Sequence, residues 1–268
     1  MSAFTEYKFA WEPITPRGVA TFARASLERL FVVQCVCALF AAGVVLWVLA
    51  SGFFPTIKSA VSALPDEGEI NHGKLVISET QPRVLAEGHF LEFNIDLQHG
   101  GQIRSPAQFQ IEFGEDSILV FSLFGEAEFF YPPDQNFYFN HTDLQPKWDA
   151  WSPEILAVVA FAVFFGLLIS WILLATIYFI PVWLICFFTN HDLNFRESWR
   201  LAGASLMPGA LLMTISIWLY GLDVFDLVKL CFAFGMHFVI GWIYLFVSPL
   251  FLQRALPTEK KNPFGQGK

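Results

Sequence analysis

Four stretches of this chain run almost without charge for the length needed to cross a lipid bilayer, and that leaves few folds open to it. A bilayer core about 30 Å thick takes roughly 20 apolar residues per helix. The runs are Leu30–Phe54, Ile155–Phe188, Trp199–Tyr220 and Leu227–Leu252. Composition agrees: 55% of the residues are hydrophobic and only 15% charged, against about 25% charged in ordinary soluble domains. The pattern predicts an α-helical polytopic membrane protein with four transmembrane helices. The first run follows a more polar leader and exceeds the roughly 7–15 residues of a signal-peptide core, so it reads as an uncleaved anchor. At about 1.5 Å per residue the second run is near 50 Å long, too long for one bilayer core and too short for two. It predicts a single span that projects beyond the membrane and bends near Pro181. The four cysteines, Cys35, Cys37, Cys186 and Cys231, all fall inside the runs, with no CxxC and no disulfide framework.

Lysine and arginine near short loops set orientation, whereas long translocated segments hardly count. Lys8, Arg17, Arg24 and Arg29 precede the first run, Arg196 and Arg200 follow the second, and Arg254, Lys260, Lys261 and Lys268 follow the fourth. All three regions therefore read as cytoplasmic. The predicted layout is a cytoplasmic segment 1–29, a first span 30–54, an extracytoplasmic domain 55–153, a second span 154–188, a cytoplasmic loop 189–198, spans 199–220 and 227–252, and a cytoplasmic tail 253–268. The compartment expected is a plasma membrane. Between Thr56 and Pro153 there are 15 acidic and 5 basic residues, a net of −10 that more than accounts for the chain's −8. Such an exterior argues against nucleic acid, whose phosphates need cations, and against an anionic lipid surface. The expected partners are the lipid bilayer and other membrane proteins or further copies of this chain.

The outer segment has the period of β-strands. In "FLEFNIDL", Leu91, Phe93, Ile95 and Leu97 alternate with Glu92, Asn94 and Asp96, and "FQIEF" at 109–113 does the same. "SILVF" at 117–121 is a continuous apolar strand closed by a turn at Gly125. "KLVIS" at 74–78 follows the turn "NHG", and "EFFYPPD" ends a strand at two prolines. Together they predict an inserted, small antiparallel β domain of five to seven strands. It is expected to rest on the outer ends of the spans, with Trp148 and Trp151 at the interface. His72, His89, His99 and His141 and the many carboxylates read as solvated surface residues. No pair has metal-ligand spacing such as HExxH, and there is no GxSxG and no cysteine nucleophile in this segment. The chain is therefore expected to be no enzyme, with no catalytic residue, no cofactor and no metal. "NHT" at 140–142 fits a glycosylation sequon, a tripeptide common by chance.

In "TPRGVATFARASLERLF", Thr15 is a candidate N-cap and Pro16 the first helical residue. Val19, Phe22, Ala23 and Leu27 would share one face, which predicts an amphipathic helix lying in the cytoplasmic interface. A first span extended backwards is the other reading. Phe4, Tyr7, Phe9 and Trp11 could anchor the leader to the headgroups.

Ionisable residues at bilayer depth are costly and often functional, and the spans hold few. His237 falls near the midplane of the fourth, where a hydrogen bond to Thr214 or Ser216 of the third is expected; Gln34, Ser170 and Thr176 can join helices. Pro208 and Gly209 sit side by side inside the third. They read as a kink packed closely through Gly203, Ala204, Gly209 and Ala210, or as a broken helix at a solute site. Pro208, Gly209 and His237 are thus the candidate intramembrane positions.

The passage "NFRESWRLAGASLMPGALLMTISIWL" resembles the membrane region of the Yip superfamily, where a polar amphipathic lead-in precedes a proline-bearing span. The outer segment resembles that of a related bacterial family of unknown function that includes a protein named for maltodextrin utilisation; Gly73, Lys74 and Leu75 match one strand motif and Ile95 and Asp96 another. The resemblance implies a non-enzymatic membrane protein without catalytic residues. The expected function is that of an accessory or scaffold protein of the cell envelope, working through membrane and extracytoplasmic partners. The alternative is a small-solute transporter or permease subunit using the space around Pro208, Gly209 and His237.

Overall fold

The computed structural model describes residues 12–78, 81–101, 103, 105–191 and 193–252. The leader aromatics and Lys8, like the basic residues of the tail, lie outside the described residues. Helix α1 is Pro16–Thr21, followed by a 3-10 turn at Phe22–Arg24. Helix α2, Leu27–Val48, passes through a π-helical turn at Leu49–Phe53 into α3, Phe54–Ser62. The π turn lies just ahead of Pro55, whose missing N–H cannot close a regular helical bond. The remaining helices are α4 (His141–Phe188), α5 (Phe195–Ser205), α6 (Met207–Gly221) and α7 (Leu227–Val247), the last ending in a 3-10 turn at Ser248–Phe251. Four stretches, Leu27–Ser62, His141–Phe188, Phe195–Gly221 and Leu227–Phe251, are long and apolar enough to cross a membrane.

Several helices run past the expected spans. The first helix runs on to Ser62 and the second begins at His141, so both reach into the stretch expected to be β-rich. At about 1.5 Å per residue, the 48 residues of α4 span about 72 Å. Its helical assignment is unbroken through Pro181. The third helix starts at Phe195, ahead of Trp199, because Asn194 and Glu197 form a capping box: Glu197 N donates to Asn194 Oδ1 (2.9 Å) and Asn194 N donates to Glu197 Oε2 (2.8 Å).

By its contacts the chain divides into two compact units. Met1–Ala41, Val163–Ile215 and Cys231–Lys268 form the first; Ala42–Ala162 and Ser216–Leu230 form the second. Among the described residues the first holds helices and no strand. Its core is built from Val19, Phe22, Leu30, Val182, Leu201 and Met207, all fully buried. Thr15 caps α1 as expected, accepting from Gly18 N at 3.0 Å. The first span does not extend backwards through this segment, however. The chain turns extended at Ala25, Leu27 opens a separate helix and is exposed, and Val19, Phe22 and Ala23 are buried within the unit.

The second unit holds eight strands among the described residues, in two sheets. One has the order β2–β1–β8 and the other β3–β4–β5–β6–β7. The strands are β1 Gly68–Asn71, β2 Lys74–Ile77, β3 Arg83–Glu87, β4 Leu91–Ile95, β5 Phe109–Phe113, β6 Ser117–Ser122, β7 Gly125–Phe130 and β8 Phe137–Tyr138. The "NHG" stretch makes the β1–β2 hairpin, with His72 (φ +50°) and Gly73 (φ +78°) both left-handed, as a type I′ turn requires. The expectation of an antiparallel domain holds for all pairs but one: β4 and β5 are parallel. A parallel pair cannot be joined by a tight turn, so the chain crosses over between Ile95 and Phe109.

Candidate functional site

The crossover changes the status of a whole sheet face. One face of β4 and β5 packs into a core with Leu91, Phe93, Ile95, Leu75 and Phe139. The other, polar, face was expected to be solvated, yet Glu92, Asn94, Asp96 and Glu112 are all buried. The crossover is hydrogen-bonded to that face. Gln110 Nε2 of β5 donates to Ile103 O (3.1 Å), while within the crossover Asp96 accepts from Gly100 N (2.8 Å). His99 lies against Gly114, where a methyl group would come 1.9 Å from its Nε2. His99 Nδ1 is 2.6 Å from Glu112 Oε1, and its Nε2 is 3.3 Å from Ser117 Oγ, which in turn donates to Glu128 (2.7 Å). His99 therefore fastens the crossover to the sheet, and the solvated reading fails for it. The other three histidines stay on the surface: His89 against Asp223 (2.8 Å), His141 against Asp66 (3.1 Å) and His72 against Asn71. Glu92 Oε1 and both side-chain atoms of Asn94 have no hydrogen-bond partner in the protein. Among the described residues, no three histidine, cysteine or carboxylate side chains converge as metal ligands would. The sequon residue Asn140 is buried and accepts from Asp143 N (2.8 Å) at the start of α4.

Within the second unit the sheet is seated against helices by residues other than the expected tryptophans. Phe90 stacks on Phe53 (5.3 Å) and contacts Tyr220 (4.9 Å), while Tyr220 Oη donates to Gln108 Oε1 (2.6 Å). Gly52 gives Phe90 its place, since a methyl there would meet the ring at 2.7 Å, and Gly221 does the same for Val48 at 2.5 Å. Trp148 instead packs edge-on against Phe54 beside the Lys58–Asp149 ion pair (3.4 Å), and Trp151 is exposed. A cavity of about 410 Å³ is lined by Gln108, Gln110, Phe121 and Leu123 from the sheet side and by Asp226, Leu227 and Val228 at the start of α7. Asp226 caps that helix, and the Lys229 amide donating to it (2.8 Å) holds its carboxyl below the usual range. Burial drives the Tyr131 phenol well above its ordinary value; its Oη donates to Gly114 O (3.2 Å).

The intramembrane candidates belong to the first unit. The helix gives way at Leu206, between α5 and α6, just before Pro208. Gly209 lies against the backbone of α7: a methyl at 209 would come 2.4 Å from His237 O. Gly203 similarly faces Leu30, Gln34 and Ala175. The His237 side chain does not bond to Thr214. It bonds to the carbonyl of Phe234 in its own helix, while Thr214 donates to Ala210 O (2.8 Å). His237 and Gly209 thus meet through backbone alone, which is close packing and leaves no solute space at that contact. Thr176 does join helices, accepting from Trp199 Nε1 (3.1 Å); Ser170 bonds only within its own. Gln34 is buried with its Oε1 unbonded. Arg200, which served above only as a topology marker, donates to the carbonyl of Ala25 (2.5 Å) where the chain turns extended.

No family model matches this chain, and no curated protein or solved structure matches it either.

Proposed function

We propose that this chain is a non-enzymatic integral protein of a bacterial inner membrane, with both termini cytoplasmic and residues 55–153 outside, acting as an accessory or scaffold for another membrane protein. Its membrane character is supported by the apolar surface that the helices leave uncovered. Along α4, Phe161, Phe165, Ile169, Leu173 and Ile180 are all exposed, a stripe far larger than water-soluble proteins tolerate. Kinship with the Yip-like family belongs to the same proposal and rests on the motifs quoted above.

One observation carries the partner reading. β7 is an edge strand of the five-stranded sheet, and all six of its residues are exposed, including Phe129 and Phe130. Proteins normally blunt or cover such edges, because the unpaired backbone groups recruit another strand. The occupant we infer is an extended segment of a partner membrane protein, added beside β7. The net charge of the outer segment favours a partner with basic character there.

The test is crosslinking in native membranes, mild detergent extraction and mass spectrometry, on the wild type and on a Phe129→Lys, Phe130→Lys double variant. A stoichiometric partner lost in a folded double variant is the expected result. A partner retained by that variant at the wild-type level refutes the assignment to β7. The transport alternative has no comparable support, given the tight backbone contact at Gly209.

A further inference from the structure

Tight turns are built from glycine, proline, asparagine, aspartate and serine, yet the two-residue tip of the β6–β7 hairpin is Leu123-Phe124. The turn itself is well made. Phe124 N donates to Ser122 Oγ (3.2 Å), Ser122 Oγ donates to Gly125 O (3.3 Å), and Gly125 takes φ +116° to close it. The two apolar side chains are left 61% and 71% exposed. Leu123 also lines the cavity formed with Asp226, Leu227 and Val228, so the tip lies beside the first turn of α7. That turn opens one of the helices apolar enough to cross a membrane. It also presents Val228 to the exterior.

From this juxtaposition we infer that the β6–β7 tip is a lipid-inserting wedge: Leu123 and Phe124 enter the outer leaflet of the bilayer at the level where α7 begins. The inference rests on the membrane reading above. Leu227 and Val228 mark where the chain passes from headgroups to hydrocarbon, and an uncharged apolar tip at the same level meets lipid before water. Apolar and aromatic side chains are stabilised at that depth. The charged residue nearest along the hairpin, Glu126, already lies on the strand behind the tip. The wedge would hold the five-stranded sheet down on the membrane, on the same side as the Phe90–Tyr220 seat. Uncharged anchoring of this kind needs no anionic lipid, in keeping with the acidic outer segment.

The test uses the full chain in phosphatidylcholine vesicles, with the four native cysteines replaced and a spin label attached at one of three positions in turn. The variants are Phe124→Cys at the tip, Phe130→Cys at the far end of the same hairpin, where β7 pairs with Ser117, and Val239→Cys inside α7. Collision with oxygen reports lipid, and collision with a water-soluble nickel chelate reports water. The expected result is a nickel accessibility at 124 several-fold below that at 130, with oxygen accessibility approaching that at 239. If 124 is as open to nickel as 130 while 239 sits in lipid, the wedge is refuted and the membrane reading stands. A label at 124 closed to both reagents means that protein covers the tip, which also refutes the wedge. If 239 itself is open to nickel, the membrane reading fails and the wedge with it.

Discussion

Gly209→Ala tests whether Pro208 and Gly209 serve packing. The added methyl would lie 2.4 Å from the carbonyl oxygen of His237, against a closest approach of about 3.0 Å for real side-chain carbons. The neighbour is backbone, so no rotamer change relieves the clash, and α6 and α7 must part by about 0.6 Å. Overpacking of this kind costs about 1–3 kcal/mol. Replacing a helical glycine by alanine returns up to about 1 kcal/mol in propensity. With the full offset the net loss is up to about 2 kcal/mol, and at about 2–4 °C per kcal/mol for chains of this size the melting temperature falls by up to several degrees. Gly235→Ala is the control, because a methyl there meets nothing within 4 Å; it should be neutral or slightly stabilising. The assay is thermal unfolding of both variants in one mild detergent, followed by tryptophan fluorescence and circular dichroism. If Gly209→Ala melts at or above Gly235→Ala, the close-packing account is wrong, and space at Pro208–Gly209 becomes a serious candidate for a solute path.

Phe90→Ala should empty the seat between sheet and helix ends and cost about 3–5 kcal/mol, measured as increased protease sensitivity of residues 66–138 in the reconstituted protein. His99→Ala leaves Glu112 buried without its partner; a loss of about 1.5–3 kcal/mol in urea unfolding of the second unit is expected, and an unchanged midpoint would show that the crossover is held by other contacts. Asn194→Ala removes half of the capping box and should cost about 0.5–2 kcal/mol of helix stability, seen as faster amide exchange over Phe195–Ser198. Asp226 has a folded-state pKa below its ordinary value, so its contribution is present above the usual aspartate range and is lost as pH falls through the depressed value. Acid titration by circular dichroism should show that step in the wild type but not in Asp226→Asn, where the amide still caps α7 without titrating.

Sequence alone determined the parts of this protein that depend on local pattern. Runs of apolar residues mark four helices of membrane-crossing length, because lipid leaves a backbone no other way to satisfy its polar groups within one segment. Period-two alternation marks β4 and β5, the "NHG" turn marks the first hairpin, and Thr15 with Pro16 marks the start of α1. Tertiary structure decided what those elements face. Alternation tells which of Glu92, Asn94 and Glu112 share a side of the sheet, but whether that side is wet depends on the connection between the parallel β4 and β5, where His99 and Ile103 bond to Glu112 and Gln110. The seat of the sheet fell to Phe90 and Tyr220, far apart in sequence, with Gly52 clearing the space, while the tryptophans chosen for their chemistry took other places. Pro208 and Gly209 announced a break in a helix. Only the approach of His237's carbonyl shows that the glycine serves a backbone contact, since helical periodicity carries no record of which helix comes near.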